Sequence, residues 1–173
     1  ESMPLNEGQL LERATALLPD SGRTSGALLS VAVSPGPVRA VLRPAELEAQ
    51  DLARALQAEA LTGESAVLTT TAGTNISIHG DALEFAQPEA ERRVRLDESG
   101  RVLVVRRAVE PERGNAGLTS LIEEDIREMI AVALRFSARV LDRIDPINRL
   151  SHVAVMASLS GTAYLPWRTR QEQ

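Results

Sequence analysis

The sequence has no cysteine and no lysine, and its aromatic residues are few: one Trp, one Tyr and two Phe among 173 residues. Without cysteine there are no disulfide bonds, thiolate nucleophiles or cysteine-based zinc sites. Without lysine there is no Walker-type phosphate loop, because that loop uses a lysine to bind the phosphates. No apolar run approaches the roughly 20 residues that a bilayer span needs, and no signal-peptide pattern is seen. We therefore expect a cytoplasmic protein with a packed core.

The remaining composition favours a globular domain, and its bias towards Arg and Ala indicates a bacterial source. All 19 basic residues are Arg, and Ala, Leu and Val are abundant, as in proteins from high-GC genomes. A hydrophobic fraction of 43% supports a sizeable core, and the formal net charge of -5 disfavours a broad phosphate-binding face. Both ends of the sequence are abrupt. We expect a single domain over residues 1–173, cut from a larger protein.

Hydrophobic periodicity predicts an α+β fold. We expect a mostly antiparallel sheet of about six or seven strands, with a long C-terminal helix across one face and a shorter N-terminal helix beside it. Apart from the N-terminal helix, the predicted elements are a hairpin of 27–33 with 38–42, a helix over 44–61, strands at 66–70, at 76–79, around Leu83 and Phe85, around Val94 and Leu96, and at 102–105, the long helix over 119–144, and a strand over 152–158. Residues 110–117 are predicted to form a flexible loop.

The last strand and the long helix carry the clearest patterns. Residues 152–158 are apolar at both alternating sets of positions, which is typical of a central strand. Ser120 and Glu123 have the spacing of a capping box. From Ile122 to Ile144, apolar residues recur at steps of three and four and form a seam along the helix.

That seam suggests how the chain could interact with partners. A helix of about 25 residues is a rod of roughly 38 Å, long enough to pair with a second copy as well as to cover its own sheet. The leading hypothesis is a non-catalytic interaction or regulatory domain that forms a homodimer or contacts a neighbouring domain. The predicted contact residues are Met129, Phe136, Val140 and Trp167. The alternative is that the seam belongs entirely to the core of this domain.

Arginines concentrate on one predicted hairpin. Arg92, Arg93, Arg95 and Arg106 could bind phosphate groups, which would make the chain a nucleotide- or nucleic-acid-binding module. Acidic residues are interleaved with them, and aromatic residues for base stacking are lacking. A solvated, ion-paired hairpin at the edge of the sheet, which resists sheet aggregation, is the favoured interpretation.

An acidic cluster opens the long helix. Glu123, Glu124, Asp125 and Glu128 could bind Mg²⁺ in a metal-dependent hydrolase, which is the least favoured hypothesis. Acidic side chains in a first helical turn also complement the helix dipole, which favours a structural role. His79 and His152 are the only histidines and cannot form a His-rich metal site alone. No catalytic residue, metal or cofactor is predicted.

Three stretches carry a family resemblance: residues 22–33 (GRTSGALLSVAV), 121–127 (LIEEDIR) and 165–170 (LPWRTR). Together they resemble the C-terminal accessory region of actinobacterial multidomain proteins that have an AlbA-like (Schlafen-type) nucleotide- or nucleic-acid-binding domain. The resemblance spans most of the chain and implies an accessory or sensing domain whose parent protein acts in regulation or defence. It assigns no catalytic residue.

Overall fold

A six-stranded antiparallel sheet organises the structure, a computed structural model that describes residues 7–19, 26–109, 120–163 and 165–172. The sheet order is β2-β3-β4-β5-β1-β7, and a parallel pair, β6 and β8, lies outside it. The helices are α1 (Glu7–Thr15), α2 (Pro44–Leu47), α3 (Gln50–Leu61) and α4 (Glu123–Ile144). The strands are β1 (Leu28–Gly36), β2 (Asn75–His79), β3 (Ala82–Gln87), β4 (Arg92–Asp97), β5 (Val102–Arg107), β6 (Leu121–Ile122), β7 (His152–Ser160) and β8 (Trp167–Arg168). The predicted α+β class is confirmed, with a long helix and a short N-terminal helix.

The main core lies between one face of the sheet and the long helix. Val31, Val94 and Val104 point to this face at alternate positions of their strands and are 1% to 2% exposed. Ile126, Phe136 and Val140 of α4 join the same cluster of buried side chains. The apolar seam of the helix therefore packs on its own sheet.

The short N-terminal helix lies on the opposite face of the sheet. Ala14 of α1 packs with Ala32, Leu103 and Val105, which are the strand residues that alternate with those of the main core. The expectation that α1 lies beside α4 is therefore wrong. The sheet is covered by a helix on each side.

Several local predictions are also corrected. Residues 38–42 do not return as a hairpin strand, because both edges of β1 are already paired, with β5 and β7. Instead the backbone N–H groups of Val41 and Leu42 donate to the carbonyl of Glu98. Residues 66–70 form no strand either, since the N–H groups of Val67 and Leu68 donate to Ala60 at the end of α3.

Two predicted helices have different boundaries in the structure. The helix expected over 44–61 is divided into α2 and α3, because Ala49 takes an extended conformation. The N-cap of α4 is Ile122, which makes no side-chain capping bond, so the Ser120–Glu123 capping box is wrong. Residues 110–117, the predicted flexible loop, lie outside the described residues.

The largest departure from expectation is the position of β7. It pairs only with β1 among the described strands and lies at an edge of the sheet, although its composition predicted a central strand. Val153 is 50% exposed and Val155 is 41% exposed. Among the described residues, a strand without Asp, Glu, Lys or Arg thus lies where one backbone edge is unpaired and two of its valines are exposed.

Candidate interaction surface

The edge strand β7 is the base of a candidate interaction surface. Its nine residues, HVAVMASLS, contain no Asp, Glu, Lys, Arg or Pro. Charged side chains, Pro and bulges are the usual devices that protect an edge strand from pairing with another chain. Within β7 none of those residue types is present, and its register with β1 has no bulge, so among the described residues nothing protects its outer backbone edge from pairing with another strand.

The face of β7 on the side of α4 carries an apolar row. Val153, Val155, Ala157 and Leu159 lie opposite Pro35, Val33, Val31 and Leu29 of β1 and share their face of the sheet. In β1 these positions are buried under the helices, whereas Val153, Val155 and Ala157 are exposed. The helix layer therefore ends before it reaches β7.

One flank of α4 extends this apolar row. Ile130, Leu134, Ala138 and Leu141 recur at steps of four, four and three, so they lie on one side of the helix. Leu134 is 36% exposed and Ala138 is exposed. Ala138 and Leu141 line a common cleft of about 310 Å³ with Val153. We call the exposed parts of β7 and of this flank the β7–α4 surface.

The residues predicted as interaction contacts occupy a different part of the molecule. Phe136 and Val140 are each 1% exposed, and Met129 is half-buried against the core. Their position on the core side of α4 leaves little area for a partner. The sequence did not reveal the neighbouring flank, residues 130–141. The buried and exposed apolar stripes of α4 are adjacent, and the apolar residues of both recur at steps of three and four.

The fourth predicted contact, Trp167, is exposed and lies near the start of α4. It is 51% exposed, and it pairs with Leu121 in the short parallel ladder of β8 with β6. Arg170, just beyond, bonds to Asp125 at 2.6 Å. The hydrogen bond and the charge of Asp125 raise the pKa of Arg170, so the guanidinium stays charged. This C-terminal segment is fixed to the first turns of α4.

The four predicted phosphate-binding arginines do not form a single row. In β4, Arg93 and Arg95 lie on the face that carries α1, whereas Arg92 belongs to the alternate positions facing the main core. Arg106 lies opposite Leu29, on the main-core face. Side-chain alternation thus divides the set between two faces of the sheet.

Acidic partners surround the same hairpin. The nearest oxygen of Asp97 is 2.5 Å from Arg101, that of Glu91 is 2.6 Å from Arg107, and that of Asp81 is 3.8 Å from Arg95. Asp97 is itself 1% exposed and accepts hydrogen bonds from the backbone of Ser99 and Arg101. The hairpin is ion-paired, as the interleaved charges indicated. However, β4 and β5 are both inner strands of the sheet, so the expectation of an edge hairpin is wrong.

The acidic residues at the start of α4 are paired with cations. Glu123 bonds to Arg127, Asp125 to Arg170 and Glu128 to Arg135, and Glu124 accepts from the backbone N–H of Arg170. Across the described ranges, no group of three or more His, Asp or Glu side chains is arranged to hold a metal ion. The metal-dependent hydrolase hypothesis gains no support from this geometry.

Comparison with known proteins adds no relative. No family model matches the chain, and no curated protein or solved structure matches it significantly. In the part of the chain that the structure describes, no helix has both the length and the apolar content to cross a membrane.

Proposed function

We propose that the chain is a non-catalytic interaction domain of a larger bacterial protein and that it forms a homodimer through the β7–α4 surface. The observation that carries the proposal is the position of β7: a nine-residue strand without charge at the edge of a sheet. Pairing with a second β7 satisfies the open backbone groups and removes the exposed valines from water.

An antiparallel pairing about a twofold axis suits this strand. With the axis at Met156, the middle residue of β7, Val155 lies opposite Ala157 of the second copy, and Val153 lies opposite Leu159. All four belong to the face shared with the buried positions of β1. Every contact on this face is then apolar, and the two sheets join into one of twelve strands.

The same twofold axis also brings the α4 helices of the two copies side by side. Leu141 and Val153 line one cleft. Leu134 is seven helical residues before Leu141, and Met156 is three strand residues after Val153, and each of these distances is about 10 Å. Leu134 is therefore near the level of Met156, and an axis at Met156 also brings the Leu134 side chains of the two copies together. C₂ symmetry is the commonest arrangement of homo-oligomers.

Charges at the two ends of the helix flank are complementary under this symmetry. Arg127 is seven residues before Leu134, and Asp142 is eight residues after it. An antiparallel pair of α4 helices thus places Arg127 of one copy beside Asp142 of the other. Both residues are exposed in the monomer. The contact between Arg127 and Asp142 occurs twice in a dimer.

The test is the mass of the particle in solution, measured by native mass spectrometry and by light scattering across a concentration series. Val155→Lys places a charge on the open strand and is expected to give a monomer. Ile78→Lys is the matched control, because Ile78 is 43% exposed and Val155 is 41% exposed, and Ile78 lies on the other edge strand, β2. A monomeric parent chain at high concentration, or equal dimerisation of both variants, would refute the proposal.

A further inference from the structure

A second surface feature is a cleft on the other flank of α4. It has a volume of about 600 Å³ and lies between residues 40–43, the helices α2 and α3, and the C-terminal end of α4. Small-molecule sites commonly have volumes of about 300–1,000 Å³. The cleft is therefore large enough for a small organic ligand.

The walls of this cleft are mainly apolar. Val41, Leu42 and Ile144 are buried at its base, and Leu52 of α3 is half-buried beside them. Ile147, at the rim, is 72% exposed, the largest value among the exposed large hydrophobic side chains of the described residues. An apolar ligand in the cleft would cover part of this side chain.

Three arginines, Arg43, Arg143 and Arg149, line the same cleft. Arg149 donates to Asp145 at 2.9 Å and to the carbonyl of Val41 at 3.4 Å, which fixes its guanidinium. Arg43 bonds to Glu46 at 3.0 Å. A guanidinium has five N–H donors, so each of these pairs leaves donors for a ligand.

Arg143 differs from the other two. Within the described ranges it makes no ion pair and no hydrogen bond, yet it borders an apolar wall. The chain as a whole has a net charge of -5, whereas the cleft lining has three arginines and one carboxylate, Glu46. Glu46 bonds to Arg43, and Asp145, which does not line the cleft, bonds to Arg149, so the positive charge left at the cleft is that of Arg143. The charge of the lining complements an anion, and its apolar base complements a hydrocarbon body.

We propose that this cleft binds a small amphiphilic carboxylate: an alkyl body against Leu52, Ile144 and Ile147, with its carboxylate at Arg143. Arginine matches a carboxylate with two parallel hydrogen bonds. The proposal is independent of the dimer, because Arg143 and Leu134 lie on opposite flanks of α4. Ligand binding here would supply the input of a sensing domain.

The test is calorimetric titration of the intact chain with decanoate, below the concentration at which it forms micelles. Decyltrimethylammonium, which has an alkyl chain one methylene longer and the opposite charge, is the control ligand. We expect saturable binding of decanoate and none of the cation. Arg143→Gln and Ile147→Ser should each weaken decanoate binding by about fivefold or more.

Two control variants separate the cleft from general surface effects. Arg54→Gln removes an exposed arginine of α3, and Ile76→Ser removes an exposed isoleucine of β2, both outside the cleft. Both should bind decanoate as the parent chain does. Absence of saturable binding, equal binding of the cation, or unchanged affinity in Arg143→Gln would each overturn the proposal. Folding of every variant is checked by its circular dichroism spectrum.

Discussion

Val155 of β7 lies directly opposite Val33 of β1, on the same face of the sheet, but Val33 is 2% exposed and Val155 is 41% exposed. Two neighbouring strands thus carry a core residue and a surface residue at the same level, because the helix layer covers β1 and not β7. The proposed dimer extends that cover with a second copy.

The complementary charges on α4 predict a charge-reversal experiment. Arg127→Glu should place Glu beside Asp142 of the second copy and weaken the dimer by about tenfold, since two rim contacts of about 0.5–1 kcal/mol each are lost. Combining it with Asp142→Arg should restore most of the affinity. The dissociation constant is measured by sedimentation equilibrium.

The control for this pair is Arg139→Glu, on the flank of α4 that faces α3, where Arg139 bonds to Glu59 at 3.3 Å. It should leave the dimer affinity unchanged. If the double variant is no better than Arg127→Glu alone, the antiparallel arrangement of the helices is wrong.

Gln87 predicts a large local effect on stability. Its side chain is completely buried and bonds to the backbone of Thr69 in both directions, to the carbonyl of Ala72 and to Thr74. Gln87→Met keeps the volume but leaves these groups unpaired, at a cost of about 2 kcal/mol or more in the free energy of unfolding. Urea denaturation measures the loss. Gln50→Met, at an exposed position, should cost less than about 0.5 kcal/mol.

Asp97 and Asp81 make a second matched pair. The Asp97 side chain is 2% exposed and bonds to Arg101, whereas the Asp81 side chain is 50% exposed and lies 3.8 Å from Arg95. Asp97→Ala removes the partner of a partly buried charge and four hydrogen bonds, so we expect a loss of about 3 kcal/mol or more. Asp81→Ala should cost at most about 1 kcal/mol. Similar costs in urea denaturation would contradict this ranking.

Asp145 predicts a dependence of stability on pH. Burial alone would raise its pKa, but hydrogen bonds from the Arg149 side chain and the Leu150 backbone, with the charge of Arg149, outweigh burial and hold the pKa below its ordinary value. A carboxylate with a lowered folded-state pKa stabilises the fold above its unfolded-state pKa of about 3.9. That contribution is lost as the pH falls through the folded-state value.

The measurement compares the parent chain with Asp145→Asn in urea at a series of pH values. The difference in unfolding free energy should be constant at neutral pH and shrink as the pH falls below about 4. Glu12→Gln, at an exposed position of α1, is the control for removal of one charge. A difference that does not change with pH would contradict the assigned role of Asp145.

Local pattern was enough to predict much of the fold. The antiparallel strands β2 to β5 and the helix α4 follow from alternation, turn residues and periodicity near each element. The position of β7 could not be predicted in this way, because an apolar strand has the same sequence pattern whether or not a helix covers it. Strand order depends on pairing between distant segments, such as β1 with β7, which local composition does not encode.

The candidate sites show the same limit. Alternation alone predicts that Arg93 and Arg95 share a face, and the structure agrees. The cleft at Arg143 brings together residues 40–52 and 143–149, and no sequence spacing indicates that these segments meet. The interaction flank of α4 was obscured by the buried seam beside it, with Phe136 and Val140 on one side and Leu134 on the other.

The most direct test of the central claim is backbone amide hydrogen exchange of the unmodified chain, measured over a range of protein concentrations. Pairing of two β7 strands predicts that amides within 152–160 become more protected as the concentration rises, while amides of β2, the other edge strand, do not change. Protection of β7 that is independent of concentration, or that rises equally in β2, would contradict a dimer formed through the β7–α4 surface.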